Sequence, residues 1–244
     1  MNSANVIEIF SSVQGEGKYL GCRQIFIRLA DCNLNCTYCD TNFQRAEYCR
    51  IETFAGSMTF RNEKNPLNAA QVAEVIKNFC GNVKHHSISF TGGEPLLHWQ
   101  FVRNVAETVK NFGVKIFLET NGTLPAELEK ISDAIDIISM DIKLPSISQN
   151  LFNLHEKFLR VACKKDLYVK IVVADSTTRE EFLSAVELVA SVNPKILLII
   201  QPVTPVNGIK TASPAKILSC QNEALRLLQD VRVIPQTHKF ISLL

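Results

Sequence analysis

The sequence contains 244 residues, with 26 lysines and arginines against 24 aspartates and glutamates, a formal net charge of +2. Hydrophobic residues make up 46% of the sequence and charged residues 20%, and this composition excludes a disordered chain. The balanced charge excludes a protein whose main function is to bind nucleic-acid phosphates. No apolar run approaches the roughly 20 residues of a membrane-spanning helix and the sequence begins with no targeting segment, so we expect a soluble, cytoplasmic protein that binds neither membrane nor nucleic acid directly.

Strand-like and helix-like segments alternate along the chain. The opening VIEIF and residues 24–30 predict strands, and the polar, cysteine-bearing residues 31–42 predict a loop. From residue 68 onward, helical periodicity alternates with short apolar runs. The predicted helices span 68–80, 97–111, 124–131, 150–163, 179–191 and 214–229. The predicted strands span 87–91, 114–119, 135–141, 168–174, 196–201 and 231–235.

The apolar strands indicate an α/β fold. A strand such as KILLII, apolar on both faces, is typical of a parallel sheet covered by helices. The strand–helix units are too few for a closed eight-fold barrel, so the fold is either an incomplete barrel or an open doubly wound sheet. In both architectures the functional residues lie at the carboxyl ends of the strands. Residues 42–66 have weak periodicity and mixed charge, and we expect them to be an insertion covering one end of the sheet in a single domain spanning residues 1–244.

Three of the eight cysteines, Cys32, Cys36 and Cys39, fall within eight residues directly after a predicted strand. In a chain without a secretory signal, such a cluster indicates metal ligands rather than disulfides. One interpretation is a structural zinc site, which needs four ligands, usually in two pairs, and no second pair exists. The other is a four-iron, four-sulfur cluster, in which three thiolates leave one iron open. The remaining cysteines stand singly: Cys22, Cys49, Cys80, Cys163 and Cys220.

The spacing Cys-x3-Cys-x2-Cys resembles that of the radical S-adenosylmethionine (SAM) enzymes, and the later TGGEP resembles the Gly-Gly-Glu motif of the same family. The resemblance implies an incomplete (β/α)6-type parallel barrel with a [4Fe-4S] cluster on Cys32, Cys36 and Cys39. That cluster would reduce bound SAM to a radical that abstracts a hydrogen atom. By the same resemblance Glu94 would hold the SAM amino group, and the expected cofactor contacts are Tyr38, Gly93, Glu94, Glu119, Ser139, Lys143 and Gln201.

Three further motifs narrow the resemblance: IFSSVQGEGKYLG near the start, FIRLADC before the cysteines, and RVIPQTHKF near the end. Together they resemble the 7-carboxy-7-deazaguanine synthases, from the first ten residues to the last ten. What this implies is a carbon–nitrogen lyase that contracts 6-carboxy-5,6,7,8-tetrahydropterin to 7-carboxy-7-deazaguanine and releases ammonia. The product feeds 7-deazapurine biosynthesis, including the queuosine precursor used in tRNA modification.

The resemblance also assigns a substrate pocket. Gln14 and Glu16 suit the amide and amino edges of a pterin, and Arg28 suits its carboxylate. The expected substrate contacts are Gln14, Gly15, Glu16, Arg28, Thr91, His238 and, through the terminal carboxylate of a tail that closes the active site, Leu244. The expected catalytic residues among them are Arg28, Glu16 and His238.

Other partners follow from the same resemblance. Thr41 would bind a Mg²⁺ ion that also touches the substrate, because Mg²⁺ takes few protein oxygens. The family further implies a homodimer and an electron donor such as flavodoxin or ferredoxin. His98, after the Gly-Gly-Glu motif, has no assigned role, and we expect it on the surface at the start of a helix.

Two rival functions share part of this pattern. An activating enzyme for a glycyl-radical enzyme would have the same cluster and SAM motifs, but it needs a wide mouth for a polypeptide, and the substrate motifs argue against it. A non-catalytic zinc or iron-sulfur module would need only the cysteines. The colour and the metal content of the purified protein distinguish a zinc site from an iron-sulfur cluster.

Overall fold

The fold, seen in a computed structural model that describes residues 3–39 and 41–243, is built on a ten-stranded sheet of order β12-β11-β10-β9-β8-β7-β3-β2-β4-β5. A separate antiparallel pair joins β1 and β6. The strands are β1 (Ser3–Ala4), β2 (Val6–Val13), β3 (Arg23–Leu29), β4 (Tyr48–Glu52), β5 (Phe60–Lys64), β6 (Leu67–Asn68), β7 (Ser87–Gly92), β8 (Lys115–Thr120), β9 (Ile137–Ile142), β10 (Asp166–Val173), β11 (Leu197–Pro202) and β12 (Val231–Val233).

Several helices begin at residues that favour a helix start. Thr178 caps its helix and exchanges hydrogen bonds with Glu181 three residues on, and Pro125 and Pro214 occupy first-turn positions that need no N–H donor. The helices are α1 (Ala69–Asn82), α2 (Trp99–Thr108), α3 (Pro125–Ile131), α4 (Phe152–Ala162), α5 (Arg179–Val192) and α6 (Pro214–Ala224). Within residues 3–39 and 41–243, no helix is both long and apolar enough to span a membrane.

The strand order decides between the two architectures that periodicity leaves open. Strands β3 and β7 to β12 are all parallel and lie side by side in chain order. A doubly wound sheet reverses its order at a switch point, whereas unbroken order with right-handed crossovers places all the helices on one face. Each helix accordingly packs on the next, from α1 to α6. The sheet has two edges and does not close, which confirms the incomplete barrel.

The two faces of the sheet differ in chemistry. The helix-facing positions are apolar and join the helices in one core, with residues such as Ile27, Phe90 and Val169 fully buried. The opposite, concave face is apolar near the start of the strands, where a small cluster contains Phe117 and Tyr168. Toward the carboxyl ends, the same alternating positions become polar. The fold therefore places a buried polar surface at one rim of the sheet.

The segment 42–66, expected as an insertion covering one end of the sheet, contains two strands. Its strands β4 and β5 form an antiparallel hairpin, and β4 pairs with β2 to extend the main sheet. Cys49 and Ile51 are buried while Arg50 between them is exposed, so the segment does alternate, but over only five residues among many charges. The hairpin also contributes Arg50 and Tyr48 to the rim cavity described below.

Packing of α5 on the sheet gives a test of this core. Phe182 on α5 is fully buried, so Phe182→Ala should lower the free energy of unfolding by about 3–5 kcal/mol, the usual cost of deleting a buried aromatic ring. Leu218→Ala on α6 is the control, because Leu218 is 57% exposed and its loss should change stability by less than about 0.5 kcal/mol. Anaerobic urea unfolding measures both, and equal effects would contradict the assigned core.

Candidate functional site

A cavity of about 660 Å³ opens at the carboxyl ends of the parallel strands. It brings together sixteen of the residues that the sequence singles out: Gln14, Gly15, Glu16, Arg28, Cys32, Cys36, Tyr38, Cys39, Thr41, Thr91, Gly93, Glu119, Ser139, Lys143, Gln201 and His238. Two others are not among the lining residues. Glu94 is buried behind the cavity wall, and Leu244 lies outside the described residues.

The cysteine loop is fastened at its start. Asp31, directly before Cys32, has a φ of 66°, a left-handed conformation that few residues other than glycine adopt. Its carbonyl accepts from the Glu94 N–H at 2.8 Å, and its carboxylate accepts two hydrogen bonds from Arg45 Nε and one from Nη2. These contacts stabilise the backbone turn that directs the following residues over the strand ends.

His98 has a place in this arrangement that differs from the expected surface position. Its Nε2 lies 3.1 Å from the carbonyl oxygen of Ala30 and 3.3 Å from Asp31 Oδ2, and only 15% of its side chain is exposed. The residue does stand at a helix start, as expected, but the 3₁₀ turn at residues 95–98 directs the imidazole inward. It thus helps to hold the residue that precedes the cysteines.

The rest of the loop is fastened to the ends of β8 and β9. Asn33 donates to Thr123 Oγ1 at 2.8 Å and accepts from Asn121 Nδ2 at 2.9 Å. Farther on, Lys143 Nζ donates to the Tyr38 hydroxyl at 3.0 Å. Burial, together with the charge of Asp141, raises the pKa of Tyr38, so the phenol stays protonated. Both ends of the loop are therefore held by the rim.

The three thiols fit a cluster of several irons. Cys32, Cys36 and Cys39 are free, partly buried and all line the cavity, and burial raises the pKa values of Cys32 and Cys36. Across residues 3–39 and 41–243, no three histidine, cysteine or carboxylate side chains converge on one metal ion. A four-iron, four-sulfur cluster does not need its ligands to converge on one ion. Each thiolate binds its own iron, and the fourth iron needs no protein ligand.

The backbone of Gly93 packs directly against the cysteine loop, and among the described residues the cavity contains polar atoms without a partner. A Cβ at Gly93 would overlap the carbonyl oxygen of Asp31, so only glycine permits this close approach of backbone to the loop. In the described part of the chain, the buried atoms Asp141 Oδ1 and Gln201 Oε1 have no hydrogen-bond partner, although both residues line the cavity. Orphaned acceptors of this kind fit the amino and hydroxyl donors of SAM.

The Glu94 carboxylate is hydrogen-bonded to the rim of the sheet, and its expected contact with the SAM amino group stays a prediction. Glu94 is fully buried and accepts from the N–H groups of Leu96 and Asn121 and from the Thr120 hydroxyl, which leaves its oxygens committed to the rim itself. Burial raises the pKa of Glu94 to about 7 in spite of these donors. The carboxylate therefore braces β8 against the Gly-Gly turn.

Glu119 is hydrogen-bonded to two residues expected to bind substrate, and its expected contact with the cofactor stays a prediction. Its carboxylate accepts from Gln14 Nε2 at 2.8 Å and from Thr91 Oγ1 at 2.7 Å. Gln14 also donates to Gln24 Oε1 at 3.1 Å. Because Glu119 follows the inner-face alternation of β8, it stands beside Thr91 on β7 and orients two of the predicted substrate contacts at once.

The QGEG and PQTH motifs meet at the opposite wall. A Cβ at Gly15 would overlap the His238 ring, and the Thr237 N–H donates to the Gly15 carbonyl at 2.9 Å. Gln236 Nε2 donates to Glu16 Oε1 at 2.8 Å. The first and last motifs of the chain thus form one wall, which neither motif alone predicts.

Lys170 completes this wall and was missed by the sequence analysis. It forms an ion pair with Glu16 Oε2. Burial alone would raise the pKa of Glu16, but the charge of Lys170 and the hydrogen bonds from Lys170 and Gln236 lower it to about 2. The available signal was a lone lysine inside the apolar strand YVKIVV, since a charge in such a strand needs a partner.

Arg28 belongs to a group of three charges. Its Nε donates to Glu8 Oε1 at 2.8 Å, and Arg50 Nη1 lies 3.5 Å from the other oxygen of Glu8. Two guanidinium groups around one carboxylate leave one net positive charge. Since Arg28, Arg50 and Glu8 all line the cavity, this wall can accept an anionic ligand.

Comparisons with known proteins agree on one family. The model of the radical SAM superfamily matches residues 27–204. The chain is 42% identical to the 7-carboxy-7-deazaguanine synthase of Geobacter sulfurreducens, over 98% of this chain and 97% of that protein, and 34% identical to that of Methanocaldococcus jannaschii, over 97% and 99%. The crystal structure of QueE from Escherichia coli shares the fold, with a TM-score of 0.64 at 18% identity, over 97% of this chain and 95% of that one.

The close contact between Gly93 and the Asp31 carbonyl leads to a prediction about iron binding. In Gly93→Ala the new Cβ would displace the Asp31 carbonyl and with it Cys32, so the variant should take up clearly less iron and acid-labile sulfide per chain than the wild type on anaerobic reconstitution. Gly81→Ala is the matched control, because open space surrounds that position on α1. Full cluster content in both variants would show that the contact between Gly93 and Asp31 is not needed to hold the cluster.

Proposed function

Since this chain belongs to the radical SAM superfamily and, within it, to the family of the 7-carboxy-7-deazaguanine synthases, we propose that its cavity converts 6-carboxy-5,6,7,8-tetrahydropterin into 7-carboxy-7-deazaguanine with release of ammonia. One observation supports this assignment above the others. The cysteine loop and the Glu16, Arg28 and His238 side chains line the same cavity, so a cofactor held by the loop and a carboxylated pterin can meet.

The cofactor half of the cavity lies around the cysteine loop. Cys32, Cys36 and Cys39 would hold the [4Fe-4S] cluster, and the side of the cavity with Gly93, Ser139 and Gln201 would hold SAM, with Tyr38 and Lys143 at its edge. When bound, the cluster and SAM supply a one-electron reduction and an acceptor for a hydrogen atom of the substrate. The chain's own task in this half is to orient these groups and to keep bulk water away from them.

The substrate half positions the pterin. Arg28, with Arg50 beside it, would bind the substrate carboxylate, while the Glu16 carboxylate would accept from the amide and amino edge of the ring. Gln14 is held by Glu119 and offers its carbonyl side to the same edge. The His238 imidazole, packed on Gly15, would pass a proton to the departing nitrogen.

Further components complete the proposal. Thr41 lines the cavity beside Cys39, where its hydroxyl would bind a Mg²⁺ ion shared with the substrate carboxylate. A flavodoxin or ferredoxin would supply the electron, and the protein would act as a cytoplasmic homodimer with a single domain per chain.

The rival activating-enzyme function fits the structure less well. A polypeptide substrate would need the wall between the QGEG and PQTH motifs to be open. Instead, Gln236 and Thr237 are hydrogen-bonded to Glu16 and Gly15 across that wall. A small substrate therefore suits the cavity better.

The proposed activity has a direct assay. The reconstituted protein is incubated without oxygen with the carboxypterin, SAM, Mg²⁺ and a reductant, and the deazapurine is detected by mass. Omission of SAM or of the reductant should abolish product. Cluster-loaded protein that cleaves SAM but leaves the carboxypterin unchanged would overturn the substrate assignment.

Arg28 tests the carboxylate site. In Arg28→Ala, loss of a charged, two-point hydrogen-bond donor should weaken carboxypterin binding by about tenfold to a hundredfold. Reductive cleavage of SAM without substrate should be nearly unchanged, because Arg28 lies in the substrate half. Arg103→Ala, on the exposed face of α2, is the control and should behave as wild type. Equal loss of SAM cleavage and pterin binding would remove Arg28 from the substrate site.

Thr41 tests the metal site. Thr41→Ala removes the proposed Mg²⁺ ligand, so the stimulation of turnover by added Mg²⁺ should be blunted. Thr37→Ala, an exposed threonine of the same loop, serves as the control and should keep the full stimulation. Turnover is measured against Mg²⁺ concentration, and an unchanged response in Thr41→Ala would exclude that hydroxyl as a ligand.

A further inference from the structure

One buried charge of the cavity, Lys170 on β10, has no task in the function proposed above. Lys170 is only 8% exposed, and the residues around it in the strand are apolar. A buried ammonium group costs several kcal/mol in desolvation unless partners compensate for it. The buried ammonium group of Lys170 is therefore expected to have anionic partners beside it.

The anionic partners of Lys170 are Glu16 and Asp141. Its Nζ is paired with Glu16 Oε2 and lies 4.0 Å from Asp141 Oδ2. Lys143 Nζ contacts the same Asp141 oxygen at 2.9 Å. Positive and negative groups thus alternate across the cavity floor, from Lys143 in the cofactor half to Glu16 in the substrate half.

Lys170 is the cation that compensates Glu16. Gln236 donates a second hydrogen bond to this carboxylate, but it carries no charge. Arg28 and Arg50 are engaged with Glu8 on another wall. Without Lys170, the Glu16 carboxylate would be enclosed among polar groups with only neutral donors beside its oxygens.

We propose that Lys170 is a positioning residue that fixes the Glu16 carboxylate as the acceptor for the amide and amino edge of the pterin, a role that rests on the function proposed above. The ion pair occupies one carboxylate oxygen and Gln236 contacts the other, so the group cannot rotate. The remaining lone pairs are then presented to a ligand in one orientation.

The charges around Glu16 predict how the pair responds to pH. Lys170 faces it from β10 and His238 from the carboxyl-terminal segment, while Asp141, Glu119 and Tyr168 surround Lys170. With Lys170 present, the pKa of Glu16 is about 2 and the carboxylate stays charged above pH 5. Without Lys170, burial would raise the pKa of Glu16 with less to oppose it, so Glu16 takes up a proton more readily as the pH falls.

The test compares two lysine variants in the cluster-loaded protein. In Lys170→Met, the dissociation constant of the carboxypterin should rise by about tenfold to a hundredfold at pH 7.5, with a still larger ratio to wild type at pH 6. SAM binding should be unchanged. Lys18→Met is the matched control, because Lys18 also joins the QGEG segment to β10, through Asp166 at 2.5 Å, but outside the cavity. Anaerobic calorimetric titration measures all three proteins.

A double variant separates positioning from general support of the fold. If Lys170 acts through Glu16, adding Lys170→Met to Glu16→Gln should weaken pterin binding little further. The inference is overturned if Lys170→Met matches Lys18→Met, if the two losses add in full, or if SAM binding falls equally. Wild-type protein that binds SAM but no carboxypterin would instead overturn the proposed function, and the inference with it.

Discussion

Ion pairs along the concave face of the sheet organise the cavity, because a charge enclosed away from water is costly without a compensating partner. Glu16 has Lys170, Lys143 has Asp141, and the remaining pair is Arg28 with Glu8. The Glu16–Lys170 and Arg28–Glu8 pairs each join two separate segments of the chain, whereas Asp141 and Lys143 stand two residues apart at the end of β9. The ion pairs therefore hold the walls of the cavity in register while they leave polar atoms directed into it.

The cofactor and substrate halves are continuous because both are built on neighbouring strands. In the proposed function, Ser139 on β9 belongs to the cofactor side and Lys170 on β10 to the substrate side, one strand away. The cysteine loop reaches the same rim through the left-handed turn at Asp31. Unbroken strand order makes this possible, since every parallel strand delivers its carboxyl end to one edge.

Much of this arrangement could be predicted from the sequence, since helical and strand periods are local properties and the motifs fall at strand ends. The choice between barrel and doubly wound sheet could not, because it depends on strand neighbours. Glu94 shows a second limit: the Gly-Gly-Glu motif does not predict that its carboxylate accepts hydrogen bonds from Thr120 and from the Asn121 N–H. Lys170 shows a third, as its partner Glu16 lies 154 positions away in sequence.

The central claim is that one cavity brings the reacting position of a carboxypterin against the adenosyl group of SAM. Transfer of a hydrogen label tests it most directly: substrate deuterated at C6 is turned over without oxygen, and the recovered adenosyl compounds are examined by mass. The account predicts deuterium on their 5′-carbon. Deazapurine formed while the deuterium appears only in solvent or stays in the product would contradict it.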